Sequence, residues 1–205
     1  MEGLKLWHLA IVFGLGFAGL NVYGLINPQA FGVMANRFPR NTPIGYPMMI
    51  LATVWFLSYV RQENVADFTA MKPFLYSLFI VVGLGACFFL KDFLPVRAAA
   101  ALMLLSAKLV VDTARWVPSD WRLVLVTWAY IWVIAGMWLT ISPWRLRDWI
   151  QWGTFSVQRI RAFSSLHVAF GLFVAILGLT VLRQANQQSR FAPISPLSVG
   201  QTQLV

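Results

Sequence analysis

Six stretches of this chain are apolar over about 17–21 residues each, and that recurrence constrains the fold more than any other feature. They run 7–26, 44–60, 73–90, 95–115, 121–141 and 163–182. A helix that crosses a bilayer needs about 20 mainly apolar residues. In hydrocarbon every backbone N–H and C=O must find its partner inside the protein, and within single runs of this length only helices achieve that. The spacing therefore predicts an all-α, polytopic membrane bundle of about six transmembrane helices. Composition agrees: 59% of residues are hydrophobic and 11% are charged, against about 25% charged in soluble domains. An ordinary soluble enzyme, a disordered regulator and a secreted disulfide scaffold are excluded on those grounds. The fourth stretch is the least regular, because it carries Arg97, Lys108 and Asp112. It reads as a span, a tilted helix, or a segment covered by its neighbours.

The 16 Lys and Arg exceed the 7 Asp and Glu, giving a net charge of +9. The basic residues sit in short connections between apolar runs. They read as topology determinants and lipid head-group contacts, with no nucleic-acid partner implied. The odd-numbered connections hold eight basic residues and the even ones with the termini seven, among the 16 Lys and Arg of the chain. The dense group from Arg145 to Arg161 tips the expected orientation to odd connections in the cytoplasm of a bacterial inner membrane. The N-terminal run reads as a retained span, with no small-residue cleavage site before polar sequence. Cys87 is the only cysteine, so an internal disulfide or cysteine metal site is ruled out.

Two connections are richer than turns. Segment 29–42 mixes Phe31, Val33, Met34 and Phe38 with Arg37 and Arg40. Segment 143–161 mixes Trp144, Leu146, Trp149, Ile150 and Trp152 with Arg145, Arg147 and Asp148. Apolar residues at helical spacing with Arg between them describe amphipathic helices lying in the interface. Residues 1–182 then form one transmembrane domain, and 183–205 a polar tail without a fold of its own. Each amphipathic segment follows a span that ends on a polar residue and a proline: Asn27-Pro28 and Ser142-Pro143. The proline stops the span and the polar residue can cap the next helix. A repeated unit of span, interfacial helix and span is one reading, and a coincidental proline the other.

The segment Gly136-Met-Trp-Leu-Thr-Ile-Ser142-Pro143-Trp144, followed after an interfacial stretch by Gly171 to Gly178, resembles the SPW-repeat membrane proteins. The resemblance covers roughly Trp128–Leu182. It implies a helical hairpin architecture and carries no reaction, ligand or site residue. The Asn27-Pro28-Gln29 counterpart departs from the motif.

Few side chains can carry chemistry. His8 and His167 are the only histidines, and both lie at the beginnings of spans. A neutral imidazole in a membrane helix can ligate haem iron or chlorophyll magnesium. Ser164 and Gly171, about one turn either side of His167, leave room for a flat ring. The plainer reading of either histidine is an interfacial hydrogen bond. In a six-span chain the two lie at opposite faces, so they cannot share one metal. Lys108, Asp112 and Arg115 fall at i, i+4 and i+7, about 10 Å or less from the end of their segment at 1.5 Å per residue. They read as an intramembrane ion pair that snorkels to the interface, or as an ion-relay face.

Eight of the ten Trp lie between Trp116 and Trp152, an aromatic belt at both ends of the fifth span. Trp121, Trp128 and Trp132 share a face that could lie against a pigment, carotenoid or bound lipid, or against a neighbouring helix. Small residues at Ala10, Gly14 and Ala18, and at Gly171 and Ala175, form faces that let helix backbones approach closely. They serve either internal packing or another subunit. No HExxH, Walker A, GxGxxG or Ser/His/Asp set is present. The resulting expectation is a non-catalytic subunit of a larger energy-transducing membrane assembly, partnered by other membrane subunits and lipids. A haem- or (bacterio)chlorophyll-binding protein and a small transporter are the alternatives.

Overall fold

A computed structural model describes residues 5–62, 71–89, 92–115, 117 and 119–184. The polar tail beyond 184, Trp116 and the acidic residues Glu63 and Asp67 lie outside the described residues. The described residues form eight α-helices: α1 (Leu6–Ile26), α2 (Pro28–Arg37), α3 (Thr42–Gln62), α4 (Lys72–Phe89), α5 (Leu94–Ala114), α6 (Arg122–Ile141), α7 (Trp144–Gly153) and α8 (Val157–Leu177). A single π-helical stretch, Gly178–Leu182, continues α8. No strand occurs among the described residues.

Six of these helices are long and apolar enough to cross a membrane: α1, α3, α4, α5, α6 and α8 with its π extension. Their outer surface is itself hydrocarbon-like. Phe89 is 89% exposed, Ile141 77% and Ile26 75%. Water would not tolerate such contiguous apolar surface, whereas lipid is as apolar as the side chains. The fold is therefore that of an integral membrane protein.

The packing centres on two places. First, α1 and α8 run antiparallel in close contact. A Cβ on Gly14 would lie 2.6 Å from the Gly171 carbonyl oxygen and 2.8 Å from the Ala175 nitrogen, and one on Gly178 would lie 2.8 Å from Ala10 Cβ. The small faces Ala10–Gly14–Ala18 and Gly171–Ala175 thus meet each other. Their absent side chains let two backbones touch, which in lipid replaces the hydrophobic effect as the source of helix association.

Second, α5 is the central helix. Over half of its apolar window (56%) is buried, and Ala98, Ala100, Ala107 and Ala114 are each at most 1% exposed. The alanines admit α3 on one side and α6 on the other. Lys108 and Asp112 are 43% and 46% exposed, whereas Arg97 is half-buried with its Nε enclosed and unpaired; the segment is long and apolar enough to span despite them. A left-handed Phe93 (φ 58) precedes it, and Pro95 occupies its first turn, where the missing N–H is no loss. At its far end the Arg122 guanidinium donates to the carbonyls of Ala114, Arg115 and Val117 at 3.1–3.4 Å. That satisfies acceptors the helix end would leave open.

The two short helices differ from expectation in length. The 143–161 segment is not one interfacial helix. α7 stops at Gly153, Ser156 is extended (φ −137, ψ 143), and α8 starts at Val157. The reason is Ile160, which is 5% exposed because it packs under α2 at Gly32. Arg159 and Arg161 flank it on the outer side of the first turn of α8. Segment 29–42 forms the ten-residue α2, then a 3-10 turn over Phe38–Arg40, and α3 begins at Thr42.

The turns that lead into the short helices match. Asn27 has φ −133, ψ 77 and Ser142 has φ −128, ψ 70. Each is followed by proline and a ten-residue helix. Asn27 Oδ1 accepts from the Ala30 amide at 3.2 Å, an N-cap. The unit of span, short helix and span therefore recurs as α1–α2–α3 and α6–α7–α8.

Candidate functional site

Because each short helix follows a span running the same way, α2 and α7 come together at one end of the bundle. The Asn36 side-chain amide donates to Thr154 Oγ1 at 2.8 Å, and Thr154 in turn donates to the Ile150 carbonyl at 2.7 Å. Beneath this junction lies a cavity of about 610 Å³. Pockets that hold cofactor-sized ligands run from about 300 to 1,000 Å³. Its walls come from four helices: Asn21 of α1, Phe31 and Ala35 of α2, Trp149, Ile150 and Trp152 of α7, and Ile160, Phe163, Ser164 and His167 of α8. The lining is chiefly apolar and aromatic, with a few polar groups.

His167 sits ten residues into α8, because that helix begins earlier than the apolar pattern alone implies. Its Nδ1 lies 2.7 Å from the Phe163 carbonyl oxygen. A carbonyl only accepts, so Nδ1 carries the proton and donates. In its neutral form the ring then keeps a lone pair on Nε2. A histidine that ligates a metal is ordinarily oriented this way, with its other N–H held by a carbonyl. The small neighbours of His167 divide between two tasks. Gly171 faces Gly14 and Ala18 of α1, while Ser164 faces Gly24 of α1 and also lines the cavity. The room for a ligand therefore lies toward α2 and α7, away from the α1 contact.

His8 is arranged differently. The Lys5 amide donates to His8 Nδ1 at 3.4 Å, and the ring stacks on Trp7 at 3.6 Å between centroids. The neutral ring then carries its proton on Nε2. His8 closes the first turn of α1 and offers no such lone pair. Gly178 packs at Ala10, so His8 lies near the far end of α8. It is separated from His167 by about 16 Å or more at 1.5 Å per residue, and one metal cannot join them.

Trp128 is buried inside the bundle and Trp132 packs, partly buried, against the same core. Trp128 is 8% exposed and meets Phe17 and Phe170 edge-on at 5.4 and 5.2 Å, while Trp132 meets Phe13 at 5.1 Å. Phe17 also meets the His167 ring at 5.0 Å. The tryptophans thus reach the cavity only through Phe17, which packs the back of the histidine. Trp121, on the same face of the sequence, is 50% exposed at the opposite end.

Lys108 and Asp112 form an ion pair at 2.8 Å, with side chains 43% and 46% exposed. The ammonium also lies 5.2 Å from the centre of the Tyr59 ring. Arg115 is exposed, and its carbonyl helps receive Arg122. The three residues do share a face, but the charges meet at the rim of α5 and not in its buried interior. No group of three His, Cys, Asp or Glu that could hold a metal occurs among the described residues. A metal here would need to arrive with its own ligands.

The arrangement is that of a helical, polytopic integral membrane protein with a ligand-sized aromatic cavity at one end. Comparison with family models, with curated proteins and with solved structures finds no match.

Proposed function

We propose that this protein is a non-catalytic integral subunit of a larger membrane assembly. The observation that carries this reading is the exposure of α4. It packs on α3 through Gly83 against Thr53 and Phe56 against Phe79, and only 6% of its apolar window is buried. Its second glycine, Gly85, meets nothing closer than Phe89 at 4.0 Å. In lipid a helix is retained by close packing and interhelical hydrogen bonds, not by hydrophobicity. A span attached by one narrow contact, with a small-residue position open, is suited to seating against another subunit. The paucity of ionisable side chains within the spans agrees with a structural role. The class of assembly to which we assign it is an energy-transducing complex of a bacterial inner membrane.

Extraction of the native membrane in mild detergent tests this directly. The protein should migrate in a particle much larger than 23.1 kDa plus its micelle, with other membrane polypeptides in fixed ratio. A monodisperse monomer retained after chemical cross-linking of the intact membrane overturns the reading.

A further inference from the structure

The cavity beneath α2 and α7 combines three features that point to one class of ligand. The first is the His167 lone pair. With Nδ1–H committed to Phe163, Nε2 has no hydrogen-bond partner among the described residues. It can accept a proton donor or coordinate a metal, but it cannot donate to a carbonyl ligand. The second is the state of the other polar groups. Asn21 donates to the Phe17 carbonyl at 2.8 Å, and Thr154 donates to the Ile150 carbonyl at 2.7 Å. That commits the Thr154 hydroxyl and one Asn21 N–H, and leaves the second Asn21 N–H, the Ser164 hydroxyl and the indole N–H groups of Trp149 and Trp152 as donors for a ligand's carboxylate or carbonyl oxygens. The third is shape and charge. Trp149, Trp152, Phe31 and Phe163 give flat walls that suit a planar π-system. Outside the lining, the exposed Arg159 guanidinium lies 5.4 Å from the Trp152 ring and 5.7 Å from Phe155 and donates to the Trp152 carbonyl at 3.5 Å.

We propose that this cavity binds a metal-centred tetrapyrrole bearing free carboxylates, of the haem class. Nε2 of His167 forms one dative bond to the metal, with no proton or electron transferred. The macrocycle lies between α7 and α8, and its carboxylate edge meets Arg159 at the membrane surface. A quinone, which has neither a metal nor a proton to offer, would leave the Nε2 lone pair unused. The lipid-like alternative has no use for a histidine held in this tautomer. The inference is independent of the assembly reading, since a solitary protein or a subunit could hold the ligand equally well.

The test is titration of the purified full chain in mild detergent with ferric haem, read by absorption against the same micelles without protein. The expected result is a Soret band that saturates at one haem per chain. His167→Ala should weaken binding at least tenfold, and added imidazole should restore the band. His8→Ala should bind as the parent does. Ala35→Trp fills the cavity while leaving the histidine intact, and should abolish the band; its size-exclusion profile reports whether it folds. Binding no tighter than to empty micelles overturns the proposal. So does saturable binding that is unchanged in both His167→Ala and Ala35→Trp.

Discussion

The close contact of α1 and α8 makes the sharpest quantitative demand on the sequence. Consider Gly14→Ala. The new methyl would lie 2.6 Å from the Gly171 carbonyl oxygen, where ordinary contact begins at 3.4 Å. The shortfall of about 0.8 Å is against backbone, which has no rotamer to change. The helices must separate along a contact that runs from Ala10 to Gly24. Overpacking of this kind costs about 1–3 kcal/mol, against an intrinsic helix gain from Gly to Ala of about 1 kcal/mol or less. Net destabilisation is therefore expected. Gly16→Ala is the internal control, because nothing lies within 4 Å of its Cβ position. It should be neutral or slightly stabilising. Reversible unfolding in mixed micelles, with denaturing detergent as the perturbant, measures the difference between the two variants. If Gly14→Ala proves as stable as Gly16→Ala, the close approach of α1 to α8 is wrong, and the two small-residue faces look elsewhere.

Three further expectations can be checked in the same preparation. Trp128→Ala removes a side chain wedged between Phe17 and Phe170 and should cost about 3–5 kcal/mol, whereas Trp121→Ala, half-exposed, should cost far less. A double-mutant cycle on Lys108→Ala and Asp112→Ala should return a coupling of no more than about 1 kcal/mol, as partly exposed pairs do; a much larger value would mean the pair is shielded by a partner or serves an ion path. Arg122→Ala frees the carbonyls at the end of α5, so hydrogen exchange at the Arg115 and Val117 amides should quicken while Leu105 and Ala107 stay protected.

The spans were legible because hydrocarbon imposes a simple rule on length and polarity. Five of the six observed spans begin and end within two residues of the apolar runs. Other features depend on tertiary contacts that hydropathy does not encode. Arg159 and Arg161 read as part of an interfacial helix, yet Ile160 between them is buried under Gly32, so the segment belongs to α8. The charges on the fourth segment left it open whether it spans, tilts or is covered by its neighbours. Its alanines, four of them at most 1% exposed, make it the centre. The small-residue faces announced close packing but not their partner, because Ala10, Gly14 and Ala18 would suit any backbone of matching shape. His167 could be singled out from sequence, and its surroundings could not. The cavity is assembled from α1, α2, α7 and α8, which the chain brings together only by closing its first span against its last. The distinction between His8 and His167 rests on which nitrogen is already engaged, and no sequence pattern carries that.

The central structural claim is that α2 and α7 cap the same end of a six-span bundle, with the α5–α6 connection at the other. Sided cysteine labelling tests it most directly. In a Cys87→Ser background, single substitutions at Gln29 on α2, Gln151 on α7 and Asp120 in the α5–α6 connection are all exposed. A membrane-impermeant maleimide, applied to right-side-out and inverted vesicles in turn, should label Gln29→Cys and Gln151→Cys from one side and Asp120→Cys from the other. Labelling of Gln29→Cys and Gln151→Cys from opposite sides would contradict the fold, the paired short helices and the cavity they enclose.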